Sequence, residues 1–157
     1  MTPSVRVVLA LGLLLCAGCS RERIDAIGVR WSPPAPFALT GVEPGPPPQA
    51  RFGRGLTVSR FSVPPPRASE DATEYVDALV ASGALGPGAR GTRLRAGTLP
   101  AGPCVKLEFT QGVDRGMAYV LPRRQGFVLL RYVEAASDFD SNTLRLEQSL
   151  AAFRADP

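Results

Sequence analysis

The chain has no histidine, a single lysine (Lys106), and only two isoleucines, Ile24 and Ile27. Without histidine the commonest general base near neutral pH and a leading metal ligand are missing. Also gone is the usual activator of a nucleophilic serine or cysteine. Cysteine is scarce, with 3 in 157 residues, at Cys16, Cys19 and Cys104. A chain of this length makes one domain and hardly two, and it can bury a core without staples, so stability does not demand disulfides. Lysine is nearly absent, but positive charge is not: of the 18 basic residues, all but Lys106 are arginine, against 14 acidic ones. Arginine rises together with alanine, glycine and proline, the composition that GC-rich codons favour. The net charge of +4 therefore argues little for nucleic acid, and neither aromatic interleaving nor a nucleic-acid motif accompanies the arginines.

A membrane-spanning run is also lacking. The chain is apolar without interruption from Val7 to Gly18, which makes about 18 Å of helix against a hydrocarbon core of about 30 Å. Arg6 precedes the run, and Arg21, Glu22 and Arg23 close it. That is the layout of a signal-peptide h-region. At its end, Ala17-Gly18-Cys19 resembles a bacterial lipobox, in which small residues precede a cysteine that is diacylated and becomes the mature N-terminus. Cys16 stands where the common pattern has leucine and would leave with the signal peptide. The competing readings are a secretory signal cut elsewhere and a CxxC redox pair, but a redox pair here would sit in an h-region with no folded context. Each buried CH₂ of an acyl chain contributes about 0.8 kcal/mol, so the two or three chains of a bacterial lipoprotein hold it firmly. The lipobox likeness implies a covalent lipid on Cys19 as the only attached group. Ser20 is compatible with transfer to the outer membrane. The expected organisation is a signal peptide over residues 1–18, a lipidated tether over 19–30 and a single α+β domain over 31–157.

Three proline clusters follow: SPPAP from Ser32, PGPPP from Pro44 and VPPP from Val63. Proline fixes φ and lacks an N–H, so these read as stiff connectors between early strands rather than as partner-binding motifs. GLTVSRFSV (55–63) reads as a strand. Leu56 and Val58 share one parity and Phe61 and Val63 the other, which implies a bulge near Ser59 or Arg60, or burial on both faces. SEDATEYVDALVAS (69–82) is the clearest helix. Ser69 is placed to cap it, acidic residues favour its first turn, an apolar stripe runs from Ala72 to Val80, and Gly83 stands where it stops. Four strands follow at 92–99, 103–110, 115–121 and 126–133. Their short, glycine-rich links require antiparallel pairing. Val105, Leu107 and Phe109 should point inward, with Lys106 and Glu108 outward. A second helix, DFDSNTLRLEQSLAAFR, should be capped by Asp138 or Asp140 and pack through Phe139, Thr143, Leu146, Leu150 and Phe153. The order is α+β: an antiparallel sheet of about five to seven strands covered by two helices.

The segment GMAYVLPRRQGFVLLRYVEAASDFDSNTLRLEQSLAAFR resembles the C-terminal half of PsbP-like and DcrB-like α/β/α sandwich proteins. The shared pattern is a strand, a tight glycine turn, an apolar strand, a Phe-acid pair (Phe139-Asp140) and a helix ending at Ala152-Phe153-Arg154. The helix with Tyr75-Val76 fits the same plan. The likeness covers about forty residues as pattern, and its motifs are packing motifs. It implies a fold, and no catalytic set comes with it.

Chemistry is sparse. Cys104 has no histidine to activate it and reads as a small hydrophobe at a strand start. Asp138-x-Asp140-x-Asn142 imitates the opening of an EF-hand loop, but Thr143 replaces its glycine and Ser149 its final glutamate, so it reads as helix capping. Arg93 and Arg95, with Arg123 and Arg124, form the candidate partner-contact surface, and the first two, same-face strand neighbours, suit acidic partners or lipid headgroups. The expected function is a non-enzymatic, lipid-anchored envelope module facing the periplasm and binding a protein partner. The alternatives are a carrier or sensor of a small apolar ligand such as lipid, favoured by a large apolar pocket, and an envelope hydrolase, which would need convergent carboxylates of raised pKa in a deep pocket.

Overall fold

A computed structural model describes residues 23–157. The signal run, Cys16 and Cys19 lie outside the described residues. Ten strands and two α-helices follow in chain order: β1 (Arg23–Ile24), β2 (Val29–Arg30), β3 (Leu39–Glu43), β4 (Gln49–Phe52), β5 (Leu56–Phe61), α1 (Ala72–Ala81), β6 (Ala89–Leu99), β7 (Gly102–Gln111), β8 (Asp114–Arg123), β9 (Gly126–Ala135), α2 (Ala136–Ser149) and β10 (Arg154–Ala155). Seven of the strands form one sheet in the order β3-β4-β5-β9-β8-β7-β6, with every neighbouring pair antiparallel. A second, three-stranded sheet has the order β1-β2-β10. The expected α+β class and strand number are both present.

The large sheet is buried on both faces. On one side Tyr75, Val76 and Leu79 of α1 pack with Leu107, Phe109, Val120 and Phe127. On the other, Phe139 and Leu146 of α2 pack with Val58, Met117, Leu121 and Leu130. This two-sided burial explains the parity switch in β5. Its register with β9 is unbroken from Leu56↔Tyr132 to Phe61↔Phe127, so no bulge is present and both faces are simply apolar. It also corrects the expectation for β7. Lys106 and Glu108 do not face open solvent. They share the α2 side with buried Cys104, at 23% and 31% side-chain exposure.

Helix α1 starts later than its sequence suggests. Asp71 caps it, accepting from the N–H groups of Thr73 (2.7 Å) and Glu74 (3.4 Å), while Ser69 accepts from Asp71 N–H just outside. An aspartate at the N-cap also meets the positive end of the helix. The helix stops where Gly83 takes φ +75°, with Ala84 N–H donating to Leu79 O and Gly83 N–H to Val80 O, a Schellman closure. Helix α2 begins at Ala136 with Ala135 at its cap and no side-chain cap, so neither Asp138 nor Asp140 serves that role. Of its expected stripe, Phe139, Leu146, Leu150 and Phe153 are buried, with Asn142 beside them. The β8–β9 hairpin depends on Gly126, at φ +102°, where a Cβ would lie 1.8 Å from Phe61 O.

The segment expected as a tether is folded from residue 23 onward. Ile24, Ile27 and Val29 are 4%, 0% and 0% exposed and belong to the core under α2. Both isoleucines of the chain lie here, Ile24 in β1 and Ile27 in the 3-10 turn that joins β1 to β2, and both are buried. Gly28, at φ +62°, makes the turn, and its carbonyl accepts from Asp156 N–H at 2.8 Å. Trp31 fastens the segment further, with its ring 5.4 Å from Phe52 and 5.3 Å from Phe153, and Nε1 donating to Ser149 O at 3.2 Å. The proline clusters join β2 to β3, β3 to β4 and β5 to α1.

Candidate functional site

The four arginines singled out in the sequence fall in two places. Arg93 and Arg95 lie on edge strand β6, exposed, in register with Glu108 and Lys106. Arg93 lines a surface hollow with Glu70 and Asp71, and Arg95 another with Ser69 and Glu70. Arg123 and Arg124 lie at the β8–β9 hairpin, lining a separate concavity with Ala101, Ala155 and Pro157.

Arg123 has an unusual setting. Its guanidinium donates to the carbonyls of Pro122 (2.7 Å) and Ala101 (3.0 Å), and Nε is buried without a partner. It has no carboxylate partner among the described residues. Burial, and then the neighbouring Arg60, push its pKa down from the ordinary arginine value. Arg60 itself donates to the backbone oxygens of Ile27 (3.4 Å) and Pro157 (3.3 Å).

Beside this concavity, and sharing Ala155 with it, is a broader one of about 1030 Å³. Arg23, Arg30 and Arg154 line it, with Ser32, Ala152 and Asp156. The small sheet explains why. Arg23 is in register with Arg30, and Arg30 with Arg154, while Ile24, Val29 and Ala155 pair behind them. Directly opposite residues share a face. Three arginines therefore stand in a row on the outer face, and the apolar residues form the inner one. Arg23 pairs with Asp25 and, at 3.4 Å, with Asp156. These contacts, the Asp25 hydrogen bond first, push its pKa up. Among the described residues no carboxylate pairs with Arg30 or Arg154. Sequence reasoning missed this row. The available signal was Arg-Ile and Val-Arg mirrored about Ala26-Ile27, with Arg-Ala near the end of the chain.

Beneath α2 charged groups are paired. Lys106 Nζ meets Glu147 of α2, and Tyr119 OH donates to the same carboxylate at 2.9 Å. Burial, then the Glu147 hydrogen bond, raise the Tyr119 pKa. Glu134, 11% exposed, accepts from Tyr132 OH, from Asn142 Nδ2 (2.8 Å) and from Arg54. Burial alone would raise its pKa, but the three hydrogen bonds outweigh it and hold the carboxyl below its ordinary value. This shift is opposite to what a general acid needs. The EF-hand-like residues are helical and diverge to separate partners: Asp138 to Arg54 (3.8 Å), Asp140 to Arg115 (2.8 Å) and Asn142 to Glu134. Cys104 is buried, and burial pushes its thiol up, more than a backbone hydrogen bond at Leu99 draws it down.

No family model and no curated protein matches the sequence. Among solved structures, the chain is similar to cyanobacterial PsbP (CyanoP) from Synechocystis sp. PCC 6803, determined in solution. The TM-score is 0.57 at 14% identity, covering 93% of this chain and 99% of that one. At this identity the likeness establishes a PsbP-like fold.

Proposed function

We propose that the protein is a lipid-anchored envelope module that binds a partner and catalyses no reaction. Residues 1–18 would serve as its signal peptide, and Cys19 would be acylated and held in the outer membrane, facing the periplasm. The observation that carries this reading is the spacing between Cys19 and the folded segment. Arg23, four residues after Cys19, already belongs to β1 and to the arginine row. Four residues span at most about 14 Å. An anchored Cys19 would therefore hold the basic end of the domain against the lipid headgroups and leave the opposite end free for a protein partner. The PsbP-like fold suits an accessory or binding role. The apolar-ligand reading has weaker support, because arginines and an aspartate line the broad concavity beside the small sheet.

Two experiments test the reading. Metabolic labelling with a palmitate analogue should mark the wild type and Cys16→Ser but not Cys19→Ala, and label surviving on Cys19→Ala would overturn the anchor. Crosslinking the lipidated protein in its native envelope should then recover a defined partner. Recovery of bulk lipoproteins alone would count against the binding role.

A further inference from the structure

The arginine row of β1, β2 and β10 runs against the usual economy of sheets. Like charges directly opposite one another in antiparallel strands destabilise the pairing. Here the register imposes the conflict twice, Arg23 against Arg30 and Arg30 against Arg154. The large sheet also sets Arg95 opposite Lys106, but there Glu147 and Glu108 pair with the lysine, a relief that Arg30 and Arg154 do not have among the described residues. The only carboxylates paired to it among the described residues, Asp25 and Asp156, are both on Arg23. Arg154 Nη1 reaches the carbonyls of Ala151 (3.0 Å) and Phe153 (2.9 Å), and so turns back beside the concavity. Arg123 adds a further half-buried cation without a carboxylate in the adjoining hollow.

We propose that the concavity formed by Arg23, Arg30 and Arg154 binds a phosphate group. Guanidinium forks match phosphate oxygens bidentately, and an anion bridging Arg30 and Arg154 would convert a repulsive pairing into an attractive one. Asp156 and Asp25 keep Arg23 oriented at one side, and the backbone carbonyls hold Arg154 through Nη1, which leaves Arg30 and the Nε–Nη2 edge of Arg154 to the ligand. The volume of about 1030 Å³ admits more than a bare ion, so a phosphate carrying a substituent fits. The two sources of such a group are an anionic phospholipid headgroup and a soluble phosphate. The site rests on the arginines alone. Only the preference for the lipid source, drawn from the short distance to Cys19, rests on the anchor reading.

The test uses the full chain in maltoside micelles at constant ionic strength, and reads thermal unfolding in chloride, in inorganic phosphate and with dihexanoyl phosphatidylglycerol. A ligand at about ten times its Kd should raise the wild-type Tm by about 3 °C or more. Arg30→Gln with Arg154→Gln should melt in chloride at or slightly above the wild-type temperature and lose the ligand-dependent rise. Arg93→Gln with Arg95→Gln, which removes the same charge elsewhere, should keep it. Arg154→Lys, which retains charge without the fork, should show a reduced rise. A response to phosphatidylglycerol at lower concentration than to inorganic phosphate assigns the lipid source, and the reverse assigns a soluble one. No rise in the wild type, or an equal rise in both double variants, would overturn the site. Neither outcome bears on acylation, which the Cys19 labelling reads separately.

Discussion

Two clusters of charged side chains sit on this fold, and they are built on opposite plans. Beneath α2, each cation meets an anion: Lys106 with Glu147, and Arg54 with Glu134, the latter pair extended by Tyr132 and Asn142. At the basic end, strand register lines up Arg23, Arg30 and Arg154, with carboxylates at only one of them. The first plan spends charge on joining a helix to a sheet. The second leaves charge facing water and costs stability. Paired charges that order a core are explained by the fold; on the proposed reading the row of like charges is explained by the anion it binds.

Removing the central acid of the paired plan should have the largest effect. Glu134→Ala strands the Tyr132 hydroxyl and Asn142 amide, on residues 0% and 8% exposed, and should cost about 2–3 kcal/mol in urea unfolding. Glu147→Ala strands Tyr119 and Lys106 at a wetter site, with Lys106 23% exposed, and should cost about 1–2 kcal/mol by the same measurement. A smaller effect is expected with pH. The folded Glu134 pKa lies below its ordinary 4.5, so the unfolded chain takes up this proton first as pH falls. Its contribution is present at neutral pH and is lost as pH falls from about 4.5 through the lower folded value. Wild type should therefore lose more stability than Glu134→Gln between pH 7 and pH 3. The smallest effect belongs to the unpaired plan. Arg30→Gln with Arg154→Gln should leave stability unchanged or raise it by a few tenths of a kcal/mol, about the size of a relieved cross-strand repulsion. A loss as large as that of Glu147→Ala would erase the contrast.

Much of the fold was legible because periodicity carries it. The alternation of β7, the stripe of α1 and the glycine turns of the meander all depend on local sequence. What sequence reading missed was mostly non-local. Asp71 takes the cap from Ser69, so the helix begins two residues later than its sequence suggests. The outward face assigned to Lys106 is in fact under α2, because strand alternation tells which residues share a face but not whether a helix covers it. Strands β1, β2 and β10 have two residues each, too short for any period. Arg154 joins the row only through pairing with a segment about 124 residues earlier. A candidate surface read from neighbouring arginines, Arg93 with Arg95 and Arg123 with Arg124, is split by the fold between two places, and it missed the row beside Arg123.

The central claim is that the arginine-bearing end faces the membrane. Photoreactive side chains can be placed at position 151, next to the row, and at position 113, in the β7–β8 hairpin at the far end of the sheet, where Val113 is 91% exposed. Irradiated in the native envelope, position 151 should yield phospholipid adducts and position 113 should yield none. Adducts at position 113 equal to or exceeding those at 151 would contradict the account.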